Sequence, residues 1–208
     1  VADSLAHDLR TPVTRMKAAL EQAIGRTRDS TARSALGGAL EEADLLQAML
    51  TTALEISRAE AGIGQDQFST FSVFELMHDI AEVYGPLAEE LGLEIGVNVT
   101  GRLLVGAHKD MLTRAISNLV DNALKYAKGG TAVVLGGVAL QEGLVELSVT
   151  DDGPGIPRGR IDDALRRFGR LDAARTMPGA GLGLALVQAI ARMHDGTMHV
   201  SANAPHGL

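Results

Sequence analysis

No cysteine occurs anywhere in the chain, which excludes a disulfide framework, a zinc–thiolate site and thiol catalysis. Tryptophan is also absent and aromatics make up only 3%, so aliphatic residues and seven methionines must build the core. There is no excess of positive charge either. A formal net charge of −7 and a sequence pI near 5.3 speak against a general nucleic-acid binder, which is ordinarily basic. No run reaches about 18 uninterrupted apolar residues, so no segment reads as membrane-spanning. Val1 leads directly into helical pattern without signal-peptide architecture, and both chain ends read as cut edges rather than natural ones. What is present is ordinary globular material: 208 residues, 46% hydrophobic and 22% charged, enough for one to two domains.

The composition is uneven along the chain. All six aromatic residues, five of six prolines and 19 of 24 glycines lie beyond residue 67. The first 61 residues therefore read as long helix and the remainder as mixed structure, with a hinge at residues 62–66 (Gly-Ile-Gly-Gln-Asp). Leu9, Val13, Met16, Leu20 and Ala23 recur at spacings of four and three, as do Leu36, Leu40, Ala43, Gln47, Leu50 and Leu54. Two such helices around a loop at residues 25–30 form a hairpin, whose exposed seam would be buried by a second copy completing a four-helix bundle, the alternative being packing of the hairpin on the second part of its own chain. The second part predicts helices over 74–91, 108–127 and 182–194. It predicts strands over 94–99, 131–140, 143–150 and around Met198 to Val200, the middle two as an antiparallel pair. The expected class is α+β, a helical hairpin followed by a two-layer α/β sandwich.

Four segments carry chemistry. His7, within His-Asp-Leu-Arg-Thr-Pro, lies about 120° to 180° from the apolar seam on a helical projection. It points outward, with Asp8 beside it and Thr11 one turn on its own face. A carboxylate that holds the Nδ1–H tautomer leaves Nε2 as an attacking lone pair, although a solvated surface histidine has the same pattern. Pro12 inside this helix removes a hydrogen bond to the Asp8 carbonyl and favours a local bend. Asn118, Asn122, Lys125 and Tyr126 share one helix face. That face makes a poor core stripe but suits phosphate and Mg²⁺, a hard cation that takes oxygen ligands. Asp151 ends a strand before Gly153 and Gly155, where a carboxylate can accept from an adenine amine and glycine lets the backbone come close. Gly179, Gly181 and Gly183 open the last long helix, whose N-terminal N–H groups favour an anion. Arg166, Arg167, Phe168, Arg170 and Arg175 between these glycine segments read as a mobile lid that brings cations to the phosphates.

The order His-Asp-Leu-Arg-Thr-Pro, Asn-Leu-x-x-Asn-Ala-x-Lys-Tyr, Asp-x-Gly-x-Gly-Ile, Arg-Phe, Gly-x-Gly-Leu-Gly-Leu strongly resembles the sensor histidine kinases of bacterial two-component systems. The resemblance spans essentially all 208 residues. It implies a dimerisation and histidine-phosphotransfer domain over 1–63 and a catalytic ATP-binding domain of the Bergerat type over 67–208. By resemblance His7 is the phosphoacceptor, Asp8 its general base, and Thr11 the residue that orients water for dephosphorylating a partner. Asn122 is implied as the Mg²⁺ ligand, Asn118 and Lys125 as phosphate contacts, and Tyr126 as a pocket wall. Asp151 would read adenine, with Gly153 and Gly155 shaping that turn. Arg167, Phe168 and Arg170 would belong to the lid, and Gly179, Gly181, Leu182 and Gly183 to the phosphate side. The implied cofactors are ATP and Mg²⁺, and the implied partners are a second copy and the receiver domain of a response regulator, with no nucleic acid. The family also implies a cytoplasmic location within an inner-membrane sensor, input segments before Val1 and a further strand beyond Leu208. Two rivals differ in kind. Gyrase-, Hsp90- or mismatch-repair-type ATPases use a carboxylate base where this helix has Asn118 and lack the hairpin. An idle nucleotide-binding scaffold would leave His7 unmodified.

Overall fold

The computed structural model describes residues 2–127, 129–156, 181–203 and 207, with residues 2–10 as helical backbone. Helices α1 (Ala2–Arg26) and α2 (Ser30–Glu60) form the expected hairpin. Its loop is shorter than the sequence suggested because Asp29 caps α2, its Oδ1 accepting from Thr31 N at 2.9 Å. The helix α1 continues through Pro12. The two helices are held in register by Lys17, whose Nζ lies 2.5 Å from Asp44 Oδ1 and 3.1 Å from Gln47 Oε1. A linker follows, with Gly62 and Gly64 at φ +65° and +107° and a single 3-10 turn over Gln65–Gln67.

Strand β1 (Ser69–Ser72) pairs antiparallel with β3 (Leu104–Ala107). In the larger sheet β4 (Ala132–Ala139) is central: β2 (Glu94–Val99) runs parallel to it and β5 (Val145–Asp151) antiparallel. Helices α3 (Val73–Glu90), α4 (Lys109–Tyr126) and α5 (Gly183–Met193) complete the unit. The β4–β5 pair is the one expected, whereas the parallel β2–β4 pairing makes the sheet mixed. The strand expected around Met198 to Val200 is not formed. Residues 196–203 have no regular structure, so the alternation of Met198 and Val200 reflects one-sided burial without a ladder partner among the described residues.

The larger sheet and helices α3 and α4 bury one core between them. Val133 and Leu135 of β4, Val73, Leu76 and Met77 of α3, and Val120 of α4 are fully or almost fully buried there. Close approach is built in at Gly137, where a Cβ would come within 2.8 Å of Val73 Cγ1. A second apolar cluster joins the hairpin to this unit. Ile56 and Ala59 of α2 pack with Ala115 of α4 and with Leu182, Leu186 and Ile190 at and along α5. Beside it Arg114 Nε of α4 lies 2.6 Å from Glu55 Oε2 of α2.

Candidate functional site

Helix α4 carries the asparagine row, and burial of Ala115, Ile116, Val120, Ala123 and Leu124 decides which way that row faces. With these five in the core, Asn118 and Asn122 fall at the half-buried edge, and Lys125 and Tyr126 are exposed. Asn118 Nδ2 donates to the Arg114 carbonyl one turn back at 2.8 Å, which leaves its Oδ1 directed away from the helix backbone. The start of α5 seats against this row. A Cβ on Gly183 would stand 3.1 Å from Asn118 Oδ1 and 3.7 Å from Asn122 Nδ2, so only glycine leaves space between helix start and amides. Gly181 just before it adopts φ +66°. The Leu182 side chain is buried in the apolar cluster with Ile56 and Leu186.

The Asp151 turn meets the other end of α4. Gly153 lies so close to Ala127 that a Cβ would come within 2.5 Å of its Cα, while Gly155 takes φ +69°. The two glycines of this turn thus serve different needs, close approach at 153 and a left-handed backbone at 155. Asp151 Oδ1 accepts from Gly153 N at 2.9 Å, and its carbonyl accepts from Asn203 Nδ2 at 3.1 Å.

The sequence reading did not single out Asp152, yet this residue pins the turn to the sheet. Its carboxylate accepts from Thr131 N (2.7 Å), Thr131 Oγ1 (2.6 Å) and Ala132 N (2.9 Å). The Ala132 N–H first, then the Thr131 hydroxyl and N–H, hold its carboxyl down at about 2, below the ordinary 3.8. Two aspartates after a strand end are the signal that could have found it, since Asp side chains commonly cap nearby backbone N–H groups. Tyr84 of α3 was also missed. Its hydroxyl bonds Ser117 and Asp121 of α4, next to Asn122, and its pKa is raised by burial first and the Asp121 carboxylate second, with the Ser117 bond opposing.

The structure therefore brings the α4 row, the start of α5 and the Asp151 turn to one place. Arg167, Phe168, Arg170 and Gly179 lie outside the described residues, as do the side chains of His7 and Asp8. His7 and Asp8 sit on the helical backbone of α1, and Thr11 of the same helix is half-buried. Among the described residues no cluster of three or more His, Cys, Asp or Glu side chains could hold a metal. The hard donors at the site are the asparagine amides: Asn118 Oδ1 faces the space at Gly183, and Asn122, whose Nδ2 faces it, could offer its oxygen on an amide turn, a set that fits a divalent cation bound chiefly through a polyphosphate.

Comparison with known proteins agrees with this arrangement. Residues 1–62 match the His Kinase A (phospho-acceptor) domain, and residues 107–208 match the histidine kinase-, DNA gyrase B- and HSP90-like ATPase family. The sensor protein IrlS of Burkholderia pseudomallei (strain K96243) is 31% identical over 208 residues, covering 99% of this chain and 44% of the relative. The signal transduction histidine-protein kinase/phosphatase MprB of Mycobacterium sp. (strain KMS) is 32% identical, covering 97% of this chain and 39% of the relative. The crystal structure of full-length ShkA in complex with AMPPNP superposes with a TM-score of 0.77 at 25% identity, covering 99% of this chain and 43% of that one. This chain spans less than half the length of these relatives. A hairpin of the phosphoacceptor kind followed in one chain by an ATPase unit of this kind, in the order kept by relatives along nearly all of its length, makes the chain a member of the sensor histidine kinase family.

Proposed function

We propose that the chain binds ATP and transfers its γ-phosphoryl group to His7, from which the group passes to an aspartate of a response-regulator receiver domain. One observation carries this reading: glycine at the start of α5 faces two asparagine side chains of α4, while an aspartate–glycine turn closes on the end of that same helix. That is a cradle open to a polyphosphate at one end and to a base at the other. The complex with AMPPNP described for ShkA supports a nucleotide as the occupant.

The roles follow from the donor sets. Asn118 and Lys125 contact phosphates, Asp151 accepts from the adenine amine, and Tyr126 walls the pocket. Asn122 would hold Mg²⁺, whose charge offsets that on the phosphates as the γ-group leaves. Nε2 of His7 attacks γ-phosphorus, the bond to the bridging oxygen breaks, and ADP leaves. Asp8, as general base, takes the Nδ1 proton as the N–P bond forms, which leaves a neutral phosphoimidazole. Positioning dominates such a transfer. The register set by Lys17 with Asp44 and Gln47, continued back along α1, brings the His7 backbone level with about residue 55 of α2. Arg114 of α4 attaches at Glu55, so the ATPase unit docks at the height of the phosphoacceptor.

A second copy is the natural cover for the hairpin, since Met16 of its first apolar seam and Leu46 beside its second are 42% and 52% exposed in the single chain. The four-helix bundle so formed would present His7 outward to the regulator. Thr11 would serve the opposing task, orienting water to hydrolyse the regulator's phosphoaspartate. We place this unit on the cytoplasmic side of a membrane sensor; no helix of the described residues is long and apolar enough to cross a membrane.

The test is incubation with γ-labelled ATP and Mg²⁺, comparing the native protein with His7→Gln and Asn122→Ala. Acid-labile, base-stable label is expected on the native protein and on neither variant. Label surviving in His7→Gln would remove the phosphoacceptor assignment, and nucleotide binding without any label would favour a scaffold.

A further inference from the structure

His194 closes α5 and does three things at once. Its Nδ1 is 2.8 Å from the Ile190 carbonyl, which only accepts, so Nδ1 carries the proton. Its Nε2, left as a lone pair, accepts the backbone N–H of His108 at 3.1 Å. The ring stacks on Phe68 with centroids 4.7 Å apart and planes 16° from parallel. His108 is the N-cap residue of α4, makes no side-chain cap of its own, and is buried. Its ring in turn bears on Gly64, where a Cβ would stand 3.0 Å from His108 Cδ2.

These contacts fall on the segment that joins the two units. Residues 61–68 are the only covalent connection between the hairpin and the α/β unit, and Gly62 and Gly64 give that connection two left-handed, easily turned positions. Phe68 ends it. One imidazole therefore ties the linker to the start of α4, which carries the asparagine row, and to the end of α5, whose first residue seats on that row. Nothing in nucleotide binding requires this joint, because its members lie at the far ends of both helices from Asn122 and Gly183.

We infer that His194, held as the Nδ1–H tautomer, is a positioning residue: it clamps the Gly64–Phe68 linker to helices α4 and α5 and so sets the pose from which the bound nucleotide reaches His7. This rests on the kinase reading above for its consequence, but not for the clamp itself. A transfer that depends on alignment loses about a hundredfold for an ångström of misplacement, so loosening the clamp acts on turnover while leaving the nucleotide pocket in place.

The experiment compares the native chain with His194→Phe and His194→Gln. Phenylalanine keeps a ring for Phe68 and removes both nitrogen contacts. Glutamine can carry an oxygen to the Nε2 position and restore the acceptor for His108 N–H. Three quantities are read: the Kd of a non-hydrolysable ATP analogue, the initial rate of label appearing on His7, and amide hydrogen exchange of the peptides covering residues 61–68 and 105–110. In His194→Phe the Kd is expected to stay within about twofold while labelling falls about tenfold or more and both peptides exchange faster. His194→Gln should recover most of the rate and the protection. Native-like labelling and exchange in His194→Phe would overturn the inference. So would a Kd that weakens in step with the rate while exchange rises throughout the β2–β4–β5 sheet, or a glutamine variant no better than phenylalanine. If the native protein itself puts no label on His7, the kinase reading fails, and exchange alone decides the clamp: protection lost with phenylalanine and regained with glutamine supports it, and unchanged protection overturns it.

Discussion

At the residue scale the turn after β5 depends on a division of labour between adjacent carboxylates. Asp151 closes the turn on itself by accepting from Gly153 N, and Asp152 faces back to the sheet, where two N–H groups and a hydroxyl satisfy it. The sign of its pH effect follows from linkage. A carboxyl whose folded pKa lies near 2, below the ordinary 3.8, contributes stability that is fully present above the unfolded value. That stability is lost as pH falls through the folded value. Asp152→Asn is therefore expected to lower the denaturation midpoint at pH 7 and to flatten its decline between pH 4 and 2, measured by urea unfolding across that range. An unchanged slope would show that the three hydrogen bonds carry no net preference for the ionised form. Gly130 is part of the same fitting, since a Cβ there would overlap Asp152 Oδ1.

At the element scale a close helix-to-sheet contact is testable at Gly137. A Cβ there would meet Val73 Cγ1 of the core at 2.8 Å and half-buried Val99 Cγ2 at 3.3 Å, so α3 would have to lift from β4. Gly137→Ala should cost about 1–3 kcal/mol of stability, read as a lower urea midpoint with an unchanged slope, despite alanine's better intrinsic propensity. A neutral result would mean that Val73 rotates away without strain. Elements with a long period were legible in advance. The alternating three and four of Leu36 to Leu54 gave α2, and the amphipathic pattern over 108–127 gave α4 with Asn118 and Asn122 on one face. The short strands β1 and β3 were not read because four residues hold too few alternations, and their pairing joins segments more than 30 residues apart. The parallel β2–β4 pairing was hidden for a similar reason: the intervening β3 and α4 form its crossover, and no local turn announces it. In the site, Asn118, Asn122, Asp151 and the glycines were visible as spacing. Asp152 and Tyr84 were not, because their roles come from partners 20 or more residues away.

At the scale of the whole molecule the two units meet through an apolar patch rather than through charge. In the Arg114–Glu55 pair the arginine is 46% exposed but the glutamate only 12%, so water screens one partner alone, and Glu55→Gln should cost about 1–3 kcal/mol and fade only partly with salt. Ile56 is different. It is 2% exposed between Ala59 of its own helix and Leu182, Leu186 and Ile190 of the ATPase unit. In a closed core Ile→Ala costs about 2–5 kcal/mol. At a joint between units the loss has a ceiling, because once the units part the cavity no longer exists and only the docking free energy has gone. Ile56→Ala is therefore expected to leave the thermal midpoint of the α/β unit within about 2 °C, since little of the roughly 2–4 °C per kcal/mol scale is engaged. Amide exchange along the exposed side of α5 should rise, and the radius of gyration in solution should grow as undocked poses are populated. If the midpoint instead falls in proportion to a full core deletion, hairpin and ATPase unit fold as one body. Delivery of a phosphoryl group to His7 would then have to occur without the units separating. The two outcomes decide whether the glycine linker and its His194 clamp work as a pivot between poses or as one more fixed contact in a single rigid molecule.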